Sequence, residues 1–264
     1  MFDSLYIGAT GMQAQQMNVD TIANNLANVN TTGFKKARIS FSDLVSRGVS
    51  GESSAMANES YGIFSRGLSV GAGVSIANLA KIFDVGDLKK TDAPLDLSIQ
   101  GEGFIEVVMP DGSSGFTRGG SLKVNKDGVL SLQNGYPLKS SINIPGDAQS
   151  VVIHPDGRVQ AKTSGQNTPM DIGKLDLVRF TSPQGLSAQG ENLYLSTTMS
   201  GEPIATRAGE EGVGTFAQGY LEGSNVKMVE EMVNLMVAQR SYEANVKVVQ
   251  AADEILGMIN GLRR

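Results

Sequence analysis

The 264-residue chain contains no Cys, no Trp and a single His. Without cysteine there is no disulfide framework, thiolate metal site, iron–sulfur ligation or cysteine nucleophile. One His excludes a multi-histidine metal centre within one chain. Aromatic residues make up only 6%, so large core anchors are few, although the 40% apolar share is enough for a packed interior. Basic residues are outnumbered 22 to 27 and the formal net charge is −5. Nothing supplies a basic stripe to displace counterions, which argues against nucleic-acid binding. Long apolar runs are missing too. The charge-free stretch Ser4 to Asn18 carries Thr10, Gln13, Gln15, Gln16 and Asn18, and Ile255-Leu256-Gly257-Met258-Ile259 is too short to span a bilayer, so no direct membrane insertion is expected. The opening Met1-Phe2-Asp3-Ser4 has no basic n-region. Export, if it occurs, is expected without a cleaved signal peptide.

What is present falls into three zones. Residues 1–32 have a helical apolar period and few glycines, residues 33–224 hold most of the 32 Gly and 8 Pro, and residues 225–264 are helical again and free of Pro. In the first zone Leu5, Met12, Val19 and Leu26 recur every seven residues; in the last, Met228, Leu235, Tyr242, Val249 and Leu256 do the same, with Met232, Gln239, Val246 and Asp253 four residues on from the first four of them. Matched heptads at both termini predict a coiled-coil seam. The N-terminal helix has only Asp3 and Asp20 as charges, and its other polar positions are amides and hydroxyls such as Gln13, Gln15, Asn18, Asn24, Asn25 and Asn28. Amides cost far less to bury than charges when partners exist, so this helix is expected to be surrounded by protein in the working state. The further apolar residues Ile7, Ile22, Val29, Val233, Met236, Val248 and Ile255 need neighbours that two helices pressed together do not supply. Asn28, Asn30 and Gly33 suit the end of the first helix, with Phe34 folding back, and Ser224 or Asn225 the start of the second.

The middle zone reads as β structure. Asp111-Gly112, Asp127-Gly128, Asn134-Gly135 and Asp156-Gly157 are hairpin signals between β-rich segments such as Phe104-Ile105-Glu106-Val107-Val108 and Val151-Val152-Ile153-His154. The expected organisation is therefore α+β: an N-terminal helix at 1–32 and a C-terminal helix at 225–264 forming an inner coiled-coil domain, with a long inserted antiparallel β domain at 93–205. Residues 33–92 form a connection that includes an extended arm over 46–75, and 206–224 is the return connection. Candidate chemistry is sparse. His154 belongs at a hairpin, Asp84, Asp87, Asp92 and Asp96 fit turns better than a carboxylate pair, and Gly71-Ala72-Gly73 and Gly101-Glu102-Gly103 complete no phosphate-binding fingerprint. No catalytic residue, cofactor or metal site is assigned, and the chain reads as a structural, assembling protein.

Three sets of strings then carry a resemblance. Gly11-Met12-Gln13-Ala14-Gln15-Gln16 and Asn24-Asn25-Leu26-Ala27-Asn28-Val29-Asn30-Thr31-Thr32-Gly33-Phe34-Lys35 closely resemble the N-terminal signature of the bacterial flagellar rod and hook family. Gly101-Glu102-Gly103-Phe104 with Phe116-Thr117-Arg118-Gly119-Gly120-Ser121-Leu122 is similar to its central domain, where an acidic residue or Asn before Gly is more usual than Gly119-Gly120. Gly219-Tyr220-Leu221-Glu222-Gly223-Ser224-Asn225-Val226 and Gln239-Arg240-Ser241-Tyr242-Glu243-Ala244-Asn245 resemble its C-terminal motif. Length and the run from Phe41-Ser42-Asp43-Leu44 to Gly71-Ala72-Gly73-Val74 look most like the distal rod branch. The resemblance implies export by the flagellar apparatus and helical homopolymerisation in the periplasm-spanning rod. It also implies contacts with other rod proteins, the hook protein and the L and P rings, and transmission of torque. Asn24, Asn25, Asn28, Gly33 and Phe34 are its motif residues. The rival readings are a proximal rod or hook subunit of the same family, or a β-domain hydrolase.

Overall fold

The computed structural model describes residues 2–46, 70–164, 168–210 and 212–261. Most of the expected arm at 46–75 therefore lies outside the described residues. Helix α1 (Phe2–Ala27) is followed by β1 (Ala37–Ser46) and β2 (Val70–Lys81), which pair with each other. Next come β3 (Leu88–Lys90), β4 (Asp96–Gln100), β5 (Ile105–Val108), β6 (Ser114–Thr117), β7 (Gly119–Val124) and β8 (Leu130–Leu132). Strands β9 (Ala148–Ile153), β10 (Arg158–Thr163), β11 (Met170–Lys174), β12 (Leu177–Arg179), β13 (Ser187–Gly190) and β14 (Leu193–Leu195) follow. The chain ends through β15 (Ile204–Thr206), β16 (Thr215–Gln218), β17 (Tyr220–Glu222) and helix α2 (Met228–Gly261). This is the α+β class expected.

The chain forms two compact units, one from residues 1–26, 37–80 and 229–264, the other from 27–36 and 81–228. In the β unit the strands form small sheets ordered β11-β10-β9, β13-β14-β6-β5 and β16-β4-β7-β8, with the pairs β12-β15 and β17-β3. All the pairings registered in this unit are antiparallel. Gly112, Gly128, Gly135 and Gly157 all have positive φ, so the four dipeptide turns sit where the sequence puts them. The main core gathers Leu97, Ile99, Ile105, Val107, Leu130, Leu138, Leu175 and Leu177. A second cluster concentrates the scarce aromatics: Phe104, Phe116, Phe180 and Tyr194, with Phe83 against them. The rings meet edge to face at 4.8–6.2 Å, the geometry the ring quadrupole favours. Burial pushes the Tyr194 hydroxyl up to about 12.

Three boundaries differ from the sequence reading. Residues 206–224 are not a mere return connection, because β16 pairs with β4 and β17 with β3, so they complete the sheets. Residues 33–36 likewise belong to the β unit, anchored where the Gly33 N–H donates to the Glu222 carbonyl at 2.7 Å. The second helix starts at Met228 rather than at Ser224 or Asn225. Asn225 does not cap it: its side chain accepts from Lys36 N–H at 2.8 Å and donates to the Ile82 carbonyl at 2.8 Å.

In the helical unit, α1 and α2 run antiparallel along a shared contact. Gly8 lies so close to Val249 that a Cβ would stand 2.6 Å from its Cγ2, and a Cβ on Gly11 would meet the Asn245 amide at 2.9 Å. Farther along, the Asn25 amide donates to Glu231 at 3.3 Å. On α2 the buried positions are Glu231, Ala238 and Ala252, with half-buried Asn245 completing the seven-residue spacing. Met232, Gln239 and Asp253, the companions read from the sequence, are exposed. The companion stripe of buried and half-buried positions runs one residue earlier.

Candidate functional site

The residues expected at an assembly interface divide by exposure. Leu5, Met12, Val19, Leu26, Leu235, Val249 and Leu256 are half-buried, while Tyr242 and Met228 are exposed. Ile22 is buried and Val29 half-buried within the chain, but Ile7, Val233, Met236, Val248 and Ile255 remain 39–53% exposed. Alongside them lies a feature the heptad reading missed. The dipeptide Met-Val recurs every four residues, at Met228-Val229, Met232-Val233 and Met236-Val237. Four residues is a little more than one helical turn, so the three pairs stack into two adjacent rows on one face. All six side chains are 44–77% exposed. A helix that met only water there would carry Lys and Glu instead.

The N-terminal motif has its own physical reading. Asn25, 2% exposed, donates through Nδ2 to the Ala37 carbonyl and accepts through Oδ1 from the Ala37 N–H, both at 2.9 Å. One amide side chain thereby acts as a strand partner to the first residue of β1. Asn28 accepts from the Thr31 hydroxyl at 3.1 Å, and Asn24 is exposed. Gly33 has φ +70°, the left-handed conformation that favours glycine, and Phe34 is buried beneath the Lys81 ammonium, 4.3 Å from its ring centroid.

Three of the quoted strings converge inside the β unit on one buried ion triad. Glu222 Oε1 accepts from Lys35 Nζ at 2.6 Å and from the Gly86 N–H at 2.9 Å. Arg118 donates to the same carboxylate through Nε at 3.1 Å and Nη2 at 3.3 Å, and to the Gly103 carbonyl at 2.9 Å. Lys35 also reaches the Asp84 carbonyl at 2.6 Å. Lys35, Arg118 and Glu222 are 0%, 3% and 3% exposed. Burial by itself pushes the Glu222 carboxyl up, but the Arg118 and Lys35 charges and hydrogen bonds outweigh it and hold the group below the usual carboxylate range. Burial lowers Lys35, against the pull of Glu222. The signal in the sequence was three charged residues within the quoted motifs, one in each of the three sets of strings.

The residues weighed for hydrolysis serve the scaffold. Asp84 and Asp87 accept through main-chain carbonyls, Asp92 pairs with Lys90 at 3.0 Å, and Asp96 accepts from the Thr91 hydroxyl at 2.6 Å. His154 sits at the β9–β10 hairpin with Nε2 3.0 Å from Gln160 Oε1. The string Gly67-Leu68-Ser69-Val70-Gly71 has nucleophile-elbow spacing; Val70 and Gly71 belong to β2, and the rest of the string lies outside the described residues. Among the described residues, no helix is long and apolar enough to cross a membrane.

Helices from both chain ends in one unit, apolar rows left open along one of them, and a β insert tied by buried ions define a structural protein. The comparisons agree. Residues 5–35 match the model of flagella basal body rod proteins, 98–161 that of the flagellar hook protein FlgE/F/G D1 domain, and 217–262 that of the flagellar basal body rod FlgEFG protein C-terminal region. The chain is similar along its whole length to the flagellar basal-body rod protein FlgG of Borreliella burgdorferi, at 42% identity covering 100% of both chains. It is 41% identical to that of Buchnera aphidicola subsp. Schizaphis graminum over 99% of this chain and 100% of the relative, and 39% identical to that of Caulobacter vibrioides over 98% and 99%. The chain belongs to the FlgG family of flagellar basal-body rod proteins, a structural family and not an enzyme family.

Proposed function

We propose that this chain is a subunit of the distal rod, polymerising helically into the shaft that carries torque from the motor to the hook. The observation that carries the reading is the pair of Met and Val rows on α2, open along three helical turns in the isolated chain. Copies related by a rotation that does not close would cover these rows and generate a tube. In that tube, α1 and α2 form the inner coiled-coil layer, with Leu5, Met12, Val19, Leu26, Met228, Leu235, Tyr242, Val249 and Leu256 at or beside the contacts. The motif residues Asn24, Asn25, Asn28, Gly33 and Phe34 shape the chain where it leaves α1. Contacts with other rod proteins, the hook protein and the L and P rings, and export by the flagellar apparatus into the periplasm without a cleaved signal peptide, follow from the family and are part of this proposal.

The test is a pair of variants, Leu26→Asp and Leu235→Asp, in the full chain. Each is expected to abolish filaments at high concentration and swimming in cells while the β unit keeps its melting transition. Motile cells with intact rods built from either variant would sink the reading.

A further inference from the structure

The chain crosses between its two units at 26/27, 36/37, 80/81 and 228/229, so three segments of the β unit reach the crossings: 27–36, the one that begins at 81 and the one that ends at 228. Inside the β unit, the segments that reach these crossings are all tied to one carboxylate or its immediate neighbours. The first is held through Lys35 and through the Gly33 N–H on the Glu222 carbonyl. The second is held by the Gly86 N–H on Glu222 Oε1 and by Lys35 Nζ on the Asp84 carbonyl. The third contains Glu222 itself, and Asn225 three residues on links Lys36 to Ile82. Arg118, from the turn between β6 and β7, clamps the other side of the same carboxylate and reaches back to Gly103.

A buried ion triad is an inefficient way to gain stability, since well-packed apolar residues often do as well. What ions and a planar guanidinium add is direction: each contact is satisfied in one geometry only. We infer that Lys35, Arg118 and Glu222 are positioning residues that hold in one register the three β-unit segments that reach the crossings, and that torque transmission depends on this register. The second half rests on the rod reading above; the first half is read in the dilute monomer and does not.

The test uses the full chain with two variants, Lys35→Met/Arg118→Met/Glu222→Leu and the charge-preserving Arg118→Lys. The readout is amide hydrogen exchange at Gly33, Lys36, Ile82, Gly86 and Gly223, followed by swimming of cells carrying each variant. The apolar triple variant is expected to melt near the parent temperature, to exchange about tenfold or more faster at all five amides, and to leave cells non-motile. If it does not fold, Arg118→Lys decides. It should speed exchange at Gly33 and Gly86, which Arg118 does not touch but which share Glu222, whereas a purely local role would confine the change to 99–103. Unchanged protection at the five amides overturns the clasp. Faster exchange with normal swimming overturns its link to torque. Failure of the parent chain to form filaments at any concentration is a separate result, which counts against the rod reading alone.

Discussion

Replacing Val233 with Asp probes the Met and Val rows of α2 most directly. Full burial of one Val or Met side chain is worth about 1.5–3 kcal/mol. The six residues of the rows are 44–77% exposed, so between them they leave about three side chains' worth of apolar surface in water. Covering it releases about 5–9 kcal/mol per subunit, an upper figure before the cost of ordering. Val233→Asp removes about 1 kcal/mol of that and sets a carboxylate where a neighbouring copy would strip its water, at a further cost of about 2 kcal/mol or more. About 3 kcal/mol corresponds to roughly a hundredfold rise in the critical concentration for assembly. The monomer should hardly notice: the site is 53% exposed, and such surface changes stay within about 0.5 kcal/mol. Sedimentation or light scattering across a concentration series gives the critical concentration, circular dichroism of dilute protein the stability, and Val233→Ile serves as control. If Val233→Asp assembles at the parent's critical concentration, the rows are not an interface and the reasoning is wrong.

The remaining expectations concern the buried polar groups. Glu222→Gln leaves the Lys35 and Arg118 charges buried without their carboxylate and should cost the β unit about 3–5 kcal/mol in urea unfolding. It should also flatten the acid limb of stability. With its pKa held down in the fold, the Glu222 carboxylate contributes fully above its unfolded value of about 4.3 and loses that contribution as pH falls through the folded value. A variant with the parent's acid limb would show that Glu222 does not carry it. Asn25→Ala strips both hydrogen bonds from Ala37 and should cost about 2–3 kcal/mol, with the Ala37 amide losing exchange protection while the β unit melts as before.

Much of the fold was legible because local chemistry decides it. An Asp-Gly or Asn-Gly pair between β-rich segments needs a turn with positive φ, and Gly112, Gly128, Gly135 and Gly157 all have one. The two terminal helices were equally plain from their seven-residue period. The companion stripe on α2 was misplaced by one residue because the period does not say how near two backbones come. Gly8 and Gly11 admit Val249 and Asn245 so closely that a Cβ at either would crowd them, and the buried stripe falls on Glu231, Ala238 and Ala252 with Asn245 half-buried between them. The segment at 206–224 read as a connection because β16 and β17 are only four and three residues long, and their partners β4 and β3 lie more than a hundred residues away.

Asn24 to Lys35, Arg118 and the run Leu221 to Asn225 stood out as motifs; composition alone removed thiol chemistry and a multi-histidine metal centre within one chain, and the shortness of the apolar runs argued against a membrane-spanning helix. Those are properties of residues taken singly or of near neighbours, which a linear chain displays directly. That Lys35, Arg118 and Glu222 share one buried carboxylate, and that Asn25 pairs with the main chain of Ala37, emerged only from the folded chain. Separations of 187 and 104 residues in the triad carry no sequence periodicity; only the closure of β17 on β3 and of Arg118 across the β unit brings the charges within hydrogen-bonding reach.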